Sequence, residues 1–252
     1  MVQPLAKTHE LEDKIELLIN QKRKPDEFTI YLLKSDINKL EGKIKVYQYY
    51  KLLGAVAGFE NDSNQVISNY QKALQYENDL FTHLNYMSAL FSCGLIKESV
   101  FQTEILLNNF PNNANALNRA IKSFYFSCNF KKAFQLHKEF KTKNFFCNNG
   151  LAFNICEKFQ LSDGQAQVLC ELAYSLLETH NLYFSSSLIE IIDNCIVYTI
   201  YIDSPVKDIA KINWELSKLF VETLDDTWSD VLMFQYSSID VLEAREKHER
   251  IV

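Results

Sequence analysis

The sequence predicts a mainly α-helical protein: an array of antiparallel helix pairs followed by a small α+β unit with a three-stranded antiparallel sheet. Three observations predict it. Gly and Pro are scarce, at 6 and 4 of 252 residues, which disfavours a β-sandwich, a Gly-rich nucleotide-binding fold or a flexible linker protein. An apolar pattern recurs at steps of 33 and 34 residues through the middle of the chain. Beyond residue 182 that pattern gives way to runs of β-branched residues. Hydrophobic residues make up 47% and charged residues 23%, so the chain can bury a core and is not disordered.

The N-terminal segment from Leu5 to Lys24 places Leu11, Ile15, Leu18 and Ile19 on one helical stripe. Pro25-Asp26-Glu27 then opens a second helix, with Ile30, Leu33, Ile37 and Leu40 spaced for one face. Residues 1–42 are read as a helical pair or cap ahead of the array.

Residues 43–150 carry the repeat, in units of about 47–79, 80–113 and 114–147. At a step of 34, Gly94 meets Cys128, Ile96 meets Phe130, and Ser99 meets Ala133. Stepping back by 33, Ser99 meets Val66 and Leu107 meets Leu74. The first unit contains Tyr50-x-x-Leu53-Gly54 and Tyr70-x-x-Ala73; the second has Gly94 in its turn and ends in Phe110-Pro111-Asn112-Asn113; the third has Ala116, Phe130 and Ala133. In these residues the segment resembles the tetratricopeptide repeat family. The residue types make sense physically. Small residues (Gly54, Ser99, Ala133) let paired helices approach, large ones (Tyr50, Tyr70, Phe130) fill the space opposite, and Pro111 separates two pairs.

After Asn148-Asn149-Gly150 the repeat is no longer legible, and residues 151–252 are read as a separate acidic α+β unit. Ser162-Asp163-Gly164-Gln165 is a capping box. It opens a helix with Val168, Leu169, Leu172, Ala173, Leu176 and Leu177 on its apolar stripe. Strands are expected at about 183–192 and 195–203, joined by Asp193-Asn194. Ser204-Pro205 starts a helix, and a last strand is expected from Asp230 to Ser237. Two helices on one side of this sheet are the economical packing. The tail from Asp240 to Arg250 reads as a frayed helix.

Charge is unevenly spread. Residues 1–42 hold 7 Lys/Arg and 8 Asp/Glu, residues 43–147 hold 12 and 7, and residues 148–252 hold 7 and 17. A basic middle and an acidic end predict either different partners or mutual docking. The net charge of −6 argues against nucleic acid as a partner. No apolar run follows the first charge, so no secretory signal is expected. The stretch Leu182–Ile202 is interrupted by Glu190 and Asp193, so no membrane partner is expected either. Six cysteines without a C-x-x-C pair read as reduced thiols of a cytoplasmic protein, with no metal and no cofactor.

No nucleotide-binding, zinc-protease or serine-hydrolase motif is present. The five histidines are far apart in sequence and are read as packing or surface residues, so no catalytic residue is assigned. Two binding surfaces are predicted. One is the acidic patch Asp225, Asp226, Trp228 and Asp230, an aromatic anchor ringed by acids that would attract a basic partner. The other is implied by the tetratricopeptide resemblance, in which the first helix of each pair lines a concave groove. Mapped onto this chain, that groove is carried by Lys51, Phe81, Leu84 and Asn85 and by Asn118, Arg119, Lys122 and Tyr125, with Gln48, Ala55, Ser88 and Asn115 beside them. Lys51, Asn85 and Arg119 would match three places of the clamp with which some such repeats hold a carboxylate. The function expected is a non-enzymatic protein-interaction module. The alternatives are an immunity or antitoxin-like protein that masks a basic toxin or nuclease, and an enzyme with a site on the C-terminal sheet.

Overall fold

In the computed structural model, residues 4–140, 149–223 and 231–249 are described. They form twelve helices and three strands. The N-terminal pair is α1 (Pro4–Asn20) and α2 (Glu27–Asn38). Three further pairs follow: α3 (Val46–Phe59) with α4 (Ser63–Tyr76), α5 (Leu80–Ser92) with α6 (Ile96–Asn109), and α7 (Ala114–Phe126) with α8 (Phe130–Phe140). Next come α9 (Asn149–Lys158), α10 (Asp163–Thr179), β1 (Phe184–Ile192), β2 (Cys195–Ile202), α11 (Val206–Thr223), β3 (Leu232–Ser238) and α12 (Ile239–Glu249).

One turn geometry repeats along the array. Asn61, Gly94, Cys128 and Gln160 all have positive φ, between 58° and 80°. The residue after each sends its N–H back to a carbonyl five positions earlier: Asp62 to Ala57, Leu95 to Leu90, Asn129 to Phe124 and Leu161 to Cys156. This is the Schellman termination, which satisfies carbonyls orphaned at a helix end. Asn61 tolerates this left-handed conformation, whereas Cys128 and Gln160 are held in one that their side chains disfavour. Gly94 has a second reason to be glycine, since a Cβ there would lie 2.9 Å from the carbonyl oxygen of Tyr174 on α10.

The fourth of these turns joins α9 to α10. Helix–turn–helix geometry thus continues beyond residue 150, where the sequence pattern fades. Ser162 caps α10 with both bonds of the capping box in place. The neighbouring Asp163 carboxylate accepts from the backbone N–H groups of Lys131 (3.0 Å) and Lys132 (3.2 Å), capping α8 as well.

Within pairs, small residues meet large ones. A Cβ on Gly54 would lie 2.7 Å from the ring of Tyr70, which is fully buried and stacked on Tyr86. Ala133 and Phe130 are both fully buried. Ser99 turns its hydroxyl inward to the carbonyl of Met87, at 3.0 Å. Tyr50 departs from the expectation: it is half-buried and stacks on exposed Tyr76, with ring centroids 6.3 Å apart, instead of filling a core hole.

The sheet is mixed, not antiparallel throughout. β1 and β2 form an antiparallel hairpin through Asp193 and Asn194, both at positive φ, and β2 pairs with β3 in parallel. The physical reason is the connection. Parallel neighbours need a crossover long enough to return the chain to the same end, and α11 supplies it. Both faces of the sheet are covered, where one was expected. Ile196, Tyr198, Ile200 and Ile202 share a core with α10 and α11; on the other face Leu188 and Tyr201 pack against Ile239 and Leu242 of α12. The outer edge of β3 is closed at Tyr236, where Asn213 bonds both its N–H (2.7 Å) and its carbonyl (2.9 Å). The segment expected to fray is held instead: Arg245 of α12 makes two bonds to Glu190, at 2.6 and 3.0 Å.

The two halves dock on each other. One core runs from Ala120, Ile121 and Phe124 of α7 to the sheet. At its centre the Tyr198 hydroxyl donates to the carbonyl of Phe126 at 2.7 Å, and Tyr174 then donates to Tyr198 at 3.0 Å. The outer ends also meet. Arg23, in the turn after α1, binds Asp240 (2.6 Å), Glu243 (3.0 Å) and Asp203 (3.3 Å), and Lys22 binds Glu246 (2.7 Å). Hydrogen bonds to Asp240 and then Glu243 hold the Arg23 guanidinium above its ordinary pKa, and Arg23 holds the Asp240 carboxyl below its own.

Two outcomes test this packing. Gly54→Ala should destabilise the protein by about 1–3 kcal/mol, because the Tyr70 ring is boxed in by Tyr86 and cannot yield. Tyr198→Phe should cost about 1–3 kcal/mol, because it removes a bond to the buried end of α7 and takes the acceptor from Tyr174. Urea unfolding measures both.

Candidate functional site

Two adjoining cavities lie between α5 and α7. Each helix presents a face at helical spacing: Phe81, Leu84, Asn85 and Ser88 on α5, and Asn115, Asn118, Arg119 and Lys122 on α7. The N-termini of both helices are fixed by caps, Asp79 accepting from Thr82 N at 2.8 Å and Asn113 from Ala116 N at 3.1 Å. The opposite faces are core: Tyr86 and Leu90 on α5, Ala120 and Phe124 on α7.

The first cavity is polar, with a volume of about 310 Å³. Six of the eight predicted groove residues line it: Phe81, Leu84, Asn85, Asn118, Arg119 and Lys122; Asn115 completes it. The second, of about 200 Å³, continues past Arg119 and Lys122 onto Met87, Phe91, Phe126 and Phe184. Among the described residues no acidic side chain lines either cavity. Arg119 is exposed and makes no ion pair among the described residues. A positive, amide-rich trough with an apolar end attracts anions and offers donors and acceptors in pairs.

Two predicted groove residues lie elsewhere. Lys51 binds Glu12 of α1 at 2.7 Å and its side chain is only 13% exposed, so the N-terminal pair covers that end of the groove. Gln48 and Ala55, on the same helix, also line neither cavity. Tyr125 is buried, its ring edge-on to those of Phe126 and Phe130. Lys51, Asn85 and Arg119 therefore do not share one concavity, and the three-residue carboxylate clamp does not assemble. The acidic patch of Asp225, Asp226, Trp228 and Asp230 lies outside the described residues.

Sequence reasoning missed Phe91, Phe126 and Phe184. Phe91 and Phe126 sit seven residues after Leu84 and Arg119, so continuing each face by two turns finds them. Phe184 comes from β1, and no local signal ties it to α5.

Burial raises the thiol pKa of Cys93 and Cys156 to about 12, and raises that of Cys128 with a further push from Cys170. Among the described residues no three His, Cys, Asp or Glu side chains gather as a metal-holding group, and no helix is long and apolar enough to cross a membrane. His180 bonds Glu215 at 2.5 Å on the surface of the α10–α11 contact.

His83 is buried on α5. Its Nδ1 accepts from Gln102 (2.5 Å), which makes Nε2 the protonated nitrogen that donates to Asn78 (2.6 Å). Burial lowers its pKa below 6.5, partly opposed by Asp79. The unfolded chain binds this proton more readily, so the stability that neutral His83 contributes is complete above about pH 6.5 and is lost as pH falls through the folded value. His83→Gln should flatten the decline of stability as pH falls below about 6.5, read by urea unfolding at each pH.

Comparison with family models, with curated proteins and with solved structures finds no match to this chain.

Proposed function

We propose that this protein is a non-enzymatic interaction module, built on tetratricopeptide-like helix pairs, that binds an extended acidic segment of a partner protein in the trough between α5 and α7. The observation that carries the reading is the shared lining of the polar cavity: Asn85, Asn118, Arg119 and Lys122 converge on one space with no acid among them. Carboxamides can donate to and accept from an extended backbone at the same time, which fixes a peptide's register without demanding a sequence. The two cations add attraction for carboxylates and raise the association rate. One observation weighs against the alternative in which the acidic unit masks a basic toxin. Four of its carboxylates, Asp203, Asp240, Glu243 and Glu246, are already paired with Arg23 and Lys22.

Selection from a random peptide library on the full chain tests the proposal. Acidic peptides should be enriched. The double variant Arg119→Ala, Lys122→Ala should bind them about tenfold or more weakly while the chain stays folded. Enriched peptides that bind the double variant equally well would sink the reading.

A further inference from the structure

The apolar end of the trough differs in kind from the polar end. Its floor and walls are Met87 and Phe91 of α5, Phe126 of α7 and Phe184 of β1. It is therefore built jointly by the helix pairs and the sheet. Phe184 is held there edge-on to Phe91, with centroids 5.7 Å apart, and Phe91 is braced by Tyr174 at 5.0 Å.

Serines also line this cavity, yet they do not make it polar. Ser88 donates to the carbonyl of Leu84 at 3.0 Å and Ser99 to that of Met87 at 3.0 Å. Thr103 spends its one proton on the Ser99 carbonyl at 2.7 Å, so in its 2.7 Å contact with Ser123 the proton comes from Ser123. Of the four serines in the lining, Ser88, Ser99 and Ser123 thus commit their protons within or between the helices, and Ser92 adds one further hydroxyl. A guest here gains from apolar contact and is offered little hydrogen bonding.

Size and charge narrow the guest. An apolar cavity of roughly 150 Å³ holds benzene, so about 200 Å³ takes one phenyl or branched alkyl group. Arg119 and Lys122 stand on the boundary and line both cavities. A chain lying in the polar trough therefore passes directly over the apolar pocket with its carboxylates at the two cations.

We propose that this pocket is the specificity site of the trough, and that the partner segment is an acidic stretch carrying one large apolar side chain, of Phe or Leu size, that inserts between Phe91, Phe126 and Phe184. The proposal rests on the peptide-binding reading above and adds to it the sequence class of the partner.

The test uses two acetylated and amidated pentapeptides, Glu-Glu-Phe-Glu-Glu and Glu-Glu-Ala-Glu-Glu. Each is titrated into the full chain and followed by NMR, which registers weak binding. The Phe peptide should bind about tenfold or more tightly than the Ala peptide, the scale set by burying one aromatic side chain. Ser88→Phe, which fills the cavity from its open wall, should abolish that preference and leave binding of the Ala peptide intact. Phe184→Ala should weaken the preference, and if it fails to fold Ser88→Phe carries the test alone. Arg119→Ala should weaken both peptides alike. Equal affinity of the two peptides for the wild type, or a preference that survives Ser88→Phe, overturns the pocket and spares the trough. Binding of neither peptide overturns the trough and the pocket together.

Discussion

The hydroxyl of Tyr198 is the point on which the arrangement turns. It reaches from the central strand to the last carbonyl of α7, and Tyr174 of α10 completes the chain of bonds. A helix end leaves its carbonyls without intrahelical partners, and burying one unpaired is costly. Placing a sheet against the end of α7 therefore requires a donor at that spot. Tyr198 supplies it from the middle of the sheet, and one apolar core then runs from the helix pairs to the strands. The apolar end of the trough depends on this docking, because Phe184 reaches Phe91 only when the sheet is seated.

Electrostatics arranges the rest of the molecule. The acidic excess of the C-terminal third is partly paired with cations from the rest of the chain. Part of it pairs with Lys22 and Arg23 at the far end of the chain, and Glu171 pairs with Lys97 of α6 at 2.8 Å. Exposed pairs of this kind add little stability singly, but they fix which surfaces meet. Glu12 in turn takes Lys51. Arg119, which makes no ion pair among the described residues, stands beside Lys122 where the two cavities meet.

Much of this was legible in the sequence. The period of 33 to 34 residues located the helix pairs because each pair repeats one packing problem, a small residue facing a large one. Gly54 against Tyr70 and Ala133 beside Phe130 could be read from residue size alone. Gly94 and Cys128 stood at equivalent steps, and both adopt the left-handed turn that the step implies. The hairpin at Asp193-Asn194 and the box at Ser162 and Gln165 were equally plain, since such signals are local. Six residues of the trough followed from the tetratricopeptide resemblance, in which the first helix of each pair lines the concave side.

The sequence by itself therefore determined every described helix but α9 and the pairing of the repeats, and through the family resemblance the polar half of the trough, because these arise from contacts a few residues or one repeat apart. Only the tertiary structure decided the rest. Lys51 looked free until α1 folded back and set Glu12 on it. Tyr125 has the spacing of a groove residue, but the aromatic packing around Phe130 draws it inside. The parallel pairing of β2 with β3 depends on where α11 delivers the chain. The apolar pocket needs Phe91 and Phe184, which stand 93 positions apart in the chain, and no periodicity joins residues that meet only because two separately patterned halves share a core.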